Sequence, residues 1–286
     1  MGNLQLASPV DTERFGVYRV PATPGALTSR TGRITRDGEF AAEAGRYHLY
    51  GGWFCPWWQR VAIARALAGL ADVVSMSFVD GARDGRGWAF RESHGADPVN
   101  GFTLLRQAYE ASEPDFAGHV SVPALWDRST GRLVSNDAPA MEVDLATCFG
   151  HLATATADLY PAALRTAIDD LDAWLGPIVN GGLTPANRDT VLATFRSLDD
   201  RLAGSRFLLG GAAPTLADIR LFVRLVRYDT GPNATRAITP ALDTFPHLWA
   251  YARDLYTIPA FHDTTDFAAF SEPGAARLDW GAPAGR

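Results

Sequence analysis

A short apolar run that leads through a Cys-Pro pair into a helical pattern constrains this chain more than any other stretch. Residues 47–51 (YHLYG) have the length and composition of a buried strand. Residues 56–70 predict a helix, because proline suits the first helical position, where its missing N–H would be unpaired anyway. Cys55 therefore stands at a strand-to-helix junction, beside unpaired N–H groups and the positive end of the helix dipole.

Cys55 has two interpretations at this position. A cysteine at a helix N-terminus has its thiol pKa lowered from about 8.5 and supplies thiolate near neutral pH. A lone cysteine is also often buried, and it then acts as a small hydrophobe. The Cys-Pro junction after a strand favours the reactive interpretation. Trp58 stands where a second cysteine of a redox pair would be, so a redox cycle must pass through a mixed disulfide with an outside thiol.

Charge and composition exclude several classes of protein. The 286 residues suffice for two domains, and the net charge of −6 gives no indication of nucleic acid or of an anionic membrane surface. The chain has two cysteines, Cys55 and Cys148, which predicts no disulfide framework, and its histidine spacing predicts no metal site. Residues 1–10 lack a signal-peptide pattern and no apolar run has membrane-spanning length, so we expect a cytoplasmic protein.

The order of predicted elements divides the chain into three parts. Residues 1–45, rich in Pro, Gly, Thr and Arg, predict an extended arm. Residues 46–150 predict a strand–helix–strand crossover ending at residue 79, a short helix over 101–109, two strands over 121–127 and 132–135, and a helix over 138–148 capped by Asp137. Residues 151–286 are helical in pattern, with an irregular tail from Phe261. This order predicts a thioredoxin-like α/β domain followed by an all-helical domain.

Several motifs occur in a fixed order between about residue 45 and residue 262. They are Tyr47-His48-Leu49-Tyr50, Cys55-Pro56-Trp57 with Arg60, Gly87-Trp88-Ala89-Phe90, Gly101-Phe102 with Leu105-Arg106, residues 120–127 (VSVPALWD), 134–136 (VSN), 217–222 (ADIRLF) and 248–256 (LWAYARDLY) with Ile258-Pro259. Together they resemble the Xi-class glutathione transferases, also called glutathionyl-hydroquinone reductases.

The resemblance implies a reaction and a set of residue roles. In the family, a cysteine attacks the thioether sulfur of a glutathionyl-hydroquinone, releases the hydroquinone and forms a mixed disulfide that a second glutathione resolves. Cys55 would be this nucleophile. Val122, before a presumed cis Pro123, would pair its backbone with the cysteinyl part of the thiol, and Trp88 would line the thiol pocket. Asp137 stands where the family has a glutamate that binds the γ-glutamyl amine. The family also implies a homodimer.

Four further positions depart from the family pattern, each by the loss of a hydroxyl. Ala138 stands where the family has a serine for the γ-glutamyl carboxylate. Leu183, Pro232 and Phe267 stand where it has three tyrosines over the quinone product. We predict a pocket for an aromatic or quinone-type electrophile, formed by Trp57, Leu183, Tyr228 and Pro232.

The choice of thiol and the retention of activity stay open at this point. All 26 basic residues are Arg, which indicates a GC-rich genome, and some bacteria with such genomes use mycothiol in place of glutathione. We therefore expect either glutathione or mycothiol as cosubstrate, and no metal. The alternative is a binding or secondary-metabolism protein that keeps the fold and has altered or lost the thiol chemistry.

Overall fold

A computed structural model of the chain describes residues 4–20, 30–154, 157–180 and 182–281. The predicted arm and tail extend to residues 1–3, 21–29 and 282–286, which lie outside the described residues. The strands are β1 (Tyr47–Gly51), β2 (Ser75–Phe78), β3 (Ala124–Asp127) and β4 (Arg132–Ser135). The helices are α1 (Thr12–Phe15), α2 (Pro56–Leu67), α3 (Arg106–Ser112), α4 (Ala138–Thr147), α5 (Arg165–Asn180), α6 (Arg188–Leu202), α7 (Leu216–Tyr228), α8 (Pro246–Tyr256) and α9 (Pro259–His262).

The chain divides into two compact units. The first comprises Met1–Val61 and Ala68–Thr156, and the second comprises Ala62–Leu67 and Ala157–Arg286. The division after residue 156 falls six residues beyond the boundary predicted at residue 150. No helix in the described ranges is long and apolar enough to cross a membrane.

A four-stranded mixed sheet organises the first unit. Its strand order is β2-β1-β3-β4, with β1 and β2 parallel and the other neighbours antiparallel. Every residue of β1 is buried, as expected of an apolar central strand covered on both faces. The β1–α2–β2 crossover followed by the β3–β4 hairpin and α4 confirms the thioredoxin-like prediction.

The register of this sheet brings three loops to one edge. Tyr50, at the end of β1, pairs with Ala124, at the start of β3. Leu125 pairs with Ser135, at the end of β4. The segment after β1, the segment before β3 and the segment after β4 therefore meet, although they are distant in sequence. Cys55, Pro123 and Asp137 lie on these three segments.

The helix predicted over 101–109 begins later, at Arg106, and ends at Ser112. The carboxylate of Asp97, which is fully buried, accepts hydrogen bonds from the backbone N–H groups of Val99, Asn100 and Phe102. These bonds hold residues 97–102 in a loop, because they use donors that a helix would otherwise direct along its axis. The Gln107 side chain then accepts from the next two N–H groups, at 103 and 104, before the helix starts.

The second unit is helical and is organised around α7, of which nearly every residue is buried. Helix α5 packs on α7, α6 packs on α8, and α8 contacts both α7 and α9. The tail predicted to be irregular from Phe261 contains the end of α9 and a 3₁₀ turn at Phe267–Ala269. Trp280 folds back onto Phe222, Trp249 and Tyr256, so apolar burial orders a segment that carries little helical periodicity.

Candidate functional site

Cys55 lies immediately before the first residue of α2, as predicted. Its carbonyl accepts the first helical hydrogen bond, from Gln59 N–H, and its Sγ lies 3.5 Å from the backbone nitrogen of Trp58. The thiol also lies 3.3 Å from the carbonyl oxygen of Val122, to which its S–H can donate. Cys55 is 7% exposed. The sulfur is thus held between a helix N-terminus, which favours its anionic form, and a backbone carbonyl of a second segment.

The first unit contains a cavity of about 400 Å³ whose lining includes Val122, the residue that faces the Cys55 thiol, but not Cys55 itself. The cavity is lined by Trp57, His119, Ser121, Val122, Pro123, Asn136, Asp137, Ala138 and Pro139. The peptide bond between Val122 and Pro123 is cis, which confirms the predicted geometry at this turn. Five of the predicted site residues therefore share one cavity: Trp57, Val122, Pro123, Asp137 and Ala138.

The N-terminus of α4 forms one side of the cavity. Asp137 caps the helix, because its Oδ1 accepts a hydrogen bond of 3.2 Å from Ala140 N–H. This cap uses one carboxylate oxygen and leaves the second for other contacts. Within the described ranges the backbone N–H groups of Ala138 and Val122 have no hydrogen-bond acceptor. The cavity thus offers two backbone donors and one carboxylate, a set suited to a ligand with both amide and charged groups.

Ser121 and Asn136, which sequence reasoning did not single out, hold the two sides of the cavity together. The Asn136 amide donates to Ser121 Oγ at 2.9 Å and to the Tyr109 hydroxyl at 3.3 Å. Its Oδ1 accepts from Arg30 N–H at 2.9 Å. Asn136 immediately precedes Asp137, and this adjacency was the available sequence signal. The network fixes the start of α4 relative to the segment before β3.

Trp88 is not among the residues that line this cavity. Its ring stacks on Phe54, the residue before Cys55, with centroids 4.4 Å apart and planes at 24°. The guanidinium carbon of Arg83 lies 4.1 Å from the Trp88 centroid and 4.2 Å from the centroid of Tyr18. Tyr18, Arg83, Trp88 and Phe54 therefore form one layered stack that ends next to the cysteine.

The N-terminal arm is anchored to the loop that carries this stack. Asp84 is fully buried and accepts hydrogen bonds from the backbone N–H of Asp11 and from the backbone and guanidinium of Arg86. The Arg86 guanidinium also donates to the carbonyls of Ser8 and Pro9. Hydrogen bonding from Arg86 holds the pKa of the Asp84 carboxyl well below its usual range. The arm thereby places Tyr18 on the stack.

Replacing Asp84 with Asn is expected to lower the free energy of unfolding by about 1–3 kcal/mol at neutral pH, because the charged acceptor of Arg86 is lost. Since the folded state lowers the pKa of Asp84, this stabilisation is present above the ordinary carboxyl pKa of about 4 and is lost as pH falls through the lower folded value. Urea unfolding at neutral and acid pH measures both effects. The exposed Asp72→Asn variant is the control, and an equal loss in both variants would contradict the prediction.

The remaining predicted pocket residues lie in the helical unit. Leu183 is half-buried in the loop after α5, and Pro232 is exposed in the turn after α7. Phe267 is half-buried in the 3₁₀ turn of the tail. Tyr228 has no exposed surface, and its hydroxyl lies 2.6 Å from Thr239 Oγ1. The structure therefore corrects the prediction for Tyr228, which is a core residue because Thr239 satisfies its hydroxyl inside the unit.

Comparisons with known proteins agree with this architecture. A family model described as "Glutathione S-transferase, C-terminal domain" matches residues 182–254. Glutathionyl-hydroquinone reductase YqjG of Escherichia coli K12 is 34% identical over 82% of this chain and 75% of its own length. A glutathione-bound structure of YqjG superposes with a TM-score of 0.81 at 29% identity, over 89% of this chain and 95% of that one. An Xi-class transferase structure from Natrialba magadii superposes with a TM-score of 0.81 at 30% identity, over 89% of this chain and 87% of that one.

Proposed function

Since the chain belongs to the Xi-class glutathione transferases, the family of the glutathionyl-hydroquinone reductases, we propose that Cys55 is the nucleophile of a thiol-dependent reductase. The observation that carries this proposal is the placement of the Cys55 sulfur. It lies at the N-terminus of α2, 3.3 Å from the backbone of Val122, which lines a cavity with unpaired backbone donors. A core cysteine packed only for its volume would not need this setting.

The proposed reaction transfers the glutathionyl group from a carbon of the hydroquinone ring to the sulfur of Cys55. The Cys55 thiolate attacks the thioether sulfur of a glutathionyl-hydroquinone, forming an S–S bond and breaking the C–S bond. The electron pair of the broken bond goes to the ring carbon, which takes up a proton and leaves as the hydroquinone. A second thiolate then attacks the mixed disulfide, forms a low-molecular-weight disulfide and returns Cys55 as thiolate. In the net reaction the ring carbon is reduced, one free thiol is consumed, and its sulfur and the former thioether sulfur form the disulfide.

The backbone of Val122 has two successive partners in this scheme. In the resting protein its carbonyl faces the Cys55 thiol, at 3.3 Å. Ionisation of Cys55 removes that donor, and the carbonyl and N–H of Val122 are then both open to the cysteinyl part of the bound thiol. Asp137 binds the amine of the thiol through the carboxylate oxygen that the α4 cap does not use. Trp57, on the cavity lining, contacts the ligand close to the start of α2.

The proposed electrophile is a quinone-derived or other aromatic thioether. This class is named in the relatives that match the chain, and Leu183, Pro232 and Phe267 replace the phenols that the family resemblance predicts at those positions. An apolar aromatic substrate with fewer hydroxyl contacts fits these replacements, because a lost hydroxyl no longer pairs with a polar substituent. We keep the homodimer implied by the family as part of the proposal, to be checked by light scattering.

The cosubstrate is proposed to be glutathione, with mycothiol as the alternative. Isothermal titration of the Cys55→Ser variant with each thiol decides between them, and an intact-mass spectrum of the wild-type protein identifies the thiol bound to Cys55. Binding of mycothiol alone would reassign the cosubstrate. If neither thiol binds or forms an adduct, the chain keeps the fold for binding only, and the proposed chemistry is wrong.

Restoring a hydroxyl at Ala138 is expected to tighten glutathione binding about 10-fold. Ala138 is 4% exposed, lines the cavity at the first position of α4 and stands where the family resemblance predicts a serine. A hydrogen bond to a charged group contributes about 1.5–3 kcal/mol, and a factor of 10 corresponds to about 1.4 kcal/mol. Titration of Ala138→Ser measures the gain. Ala140→Ser, two residues further along the same helix, is the control. Equal affinity for glutathione in the parent and in Ala138→Ser would contradict the prediction.

A further inference from the structure

The loop between β2 and α3 carries one arginine that differs from its neighbours. Arg86 forms an ion pair with the buried Asp84, and Arg91 lies 3.8 Å from Asp84 and from the half-buried Asp80. Arg83 has no such partner: within the described residues, no group accepts a hydrogen bond from it or forms an ion pair with it. Its guanidinium carbon lies over two rings, 4.2 Å from the centroid of Tyr18 and 4.1 Å from the centroid of Trp88. Its N–H donors therefore point outward in the plane of the guanidinium, and they have no acceptor.

The two rings that contact Arg83 carry no charge. Burial lowers the pKa of Arg83, and the smaller effect of the Tyr18 phenol raises it. The same phenol lies 2.9 Å from Nδ1 of His119. Burial, and after it the charge of Arg83, lower the pKa of His119, so this imidazole is neutral at neutral pH. A half-buried guanidinium is costly to desolvate, and among the described residues no counter-ion offsets this cost for Arg83.

Arg83 connects two parts of the site already described. Through Tyr18 it is linked to His119, which lines the cavity that holds Asp137 and Ala138. Through Trp88 it is linked to Phe54, the residue before Cys55. An anionic group next to this stack would gain charge-assisted hydrogen bonds from an arginine whose orientation two aromatic rings already fix. The cost of ordering a long side chain on binding is correspondingly small.

We propose that Arg83, clamped between Tyr18 and Trp88, recognises a carboxylate of the thiol cosubstrate and thereby selects an acidic peptide thiol over an uncharged sugar thiol. This inference rests on the proposed function, since it names a specificity-determining contact for the thiol that Cys55 uses. In glutathione the matching group is the glycyl carboxylate, at the end of the molecule away from the amine assigned to Asp137. Mycothiol carries no carboxylate and could not make this contact.

Titration with glutathione and with its glycyl ethyl ester tests the proposal. In the Cys55→Ser parent the ester is expected to bind about 10-fold more weakly than glutathione. In the same background Arg83→Gln should weaken glutathione binding about 10-fold and bring the ratio of the two affinities close to 1. Arg83→Lys, which keeps a charge but loses the planar fork, should give an intermediate ratio. Arg14→Gln is the control: it removes an exposed arginine of the N-terminal arm, which lies over Phe15, and should keep the parental ratio.

The outcomes separate this inference from the proposed function. Glutathione binding with the same preference over the ester in parent and Arg83→Gln overturns the role of Arg83 and leaves Cys55 chemistry intact. Absence of glutathione binding by the parent overturns the use of glutathione, and the role of Arg83 falls with it. Because the ratio is measured within each variant, a general loss of folded protein would not change it. If Arg83→Gln fails to fold, the ratio in Arg83→Lys decides: a value equal to that of the parent overturns the proposal.

Discussion

Replacing Cys55 with Ser is expected to lower the turnover of a glutathionyl-hydroquinone by about 10³-fold or more. The proposed mechanism forms a covalent bond to this sulfur, and a serine hydroxyl at the same place is neither ionised near neutral pH nor able to form a disulfide. The helix N-terminus and the Val122 carbonyl that surround the sulfur would remain, so thiol binding should persist. Release of hydroquinone, followed by chromatography, measures turnover, and titration calorimetry measures binding.

Cys148 provides the matched control for this prediction. It is the other cysteine of the chain, it is half-buried at the end of α4, and its thiol lies 3.2 Å from the carbonyl of Ile34. Cys148→Ser should retain turnover and should still form one thiol adduct by intact mass, whereas Cys55→Ser should form none. Comparable turnover in wild type and Cys55→Ser would remove the cysteine from the mechanism and would favour a binding role for the cavity.

The part of the site that is local in sequence was predictable. Cys55, the cis Pro123 and the Asp137 cap each depend on a strand end, a helix start or a turn, and residue type within a few positions determines these features. Their convergence follows from the sheet register, which the predicted order of strands already implied. The burial of Tyr228 depends instead on Thr239, eleven residues away in the turn region beyond α7, and periodicity gives no signal for such a contact.

The stack of Tyr18, Arg83, Trp88 and Phe54 had no sequence signature as a whole. Tyr18 and His119 are 101 residues apart, and they meet because Asp84 and Arg86 anchor the arm to the loop after β2. Neither residue type nor spacing predicts that anchoring. The same limit explains the late start of α3, since the side chains of Asp97 and Gln107 accept from the N–H groups of residues 102, 103 and 104, which the helical pattern assigned to a first turn. At both places the structure differs from what the pattern predicts because a buried side chain binds backbone groups.

In the helical unit, replacing Asp218 with Ala is expected to lower the free energy of unfolding by about 3–5 kcal/mol. Asp218 is fully buried at the third position of α7 and forms a capping box with Thr215. Its Oδ2 accepts from the Thr215 N–H and hydroxyl, at 2.8 and 3.0 Å. Its Oδ1 accepts from the Leu208 N–H and the Tyr251 hydroxyl, each at 2.9 Å. Alanine would leave all four donors without this acceptor.

The size of this effect comes from burial. Tyr251 has no exposed surface, and burial raises the pKa of its phenol well above the ordinary value, so the hydroxyl stays protonated and requires an acceptor. Water cannot replace the lost carboxylate without opening the contact between the start of α7 and helix α8.

Thermal and urea unfolding followed by circular dichroism measure the loss, with the exposed Asp200→Ala in α6 as control. Asp218→Asn, which keeps one acceptor oxygen, should lose less than Asp218→Ala. Equal stability of Asp218→Ala and Asp200→Ala would show that the capping box contributes little, and the helical unit would then depend on apolar packing around α7 alone.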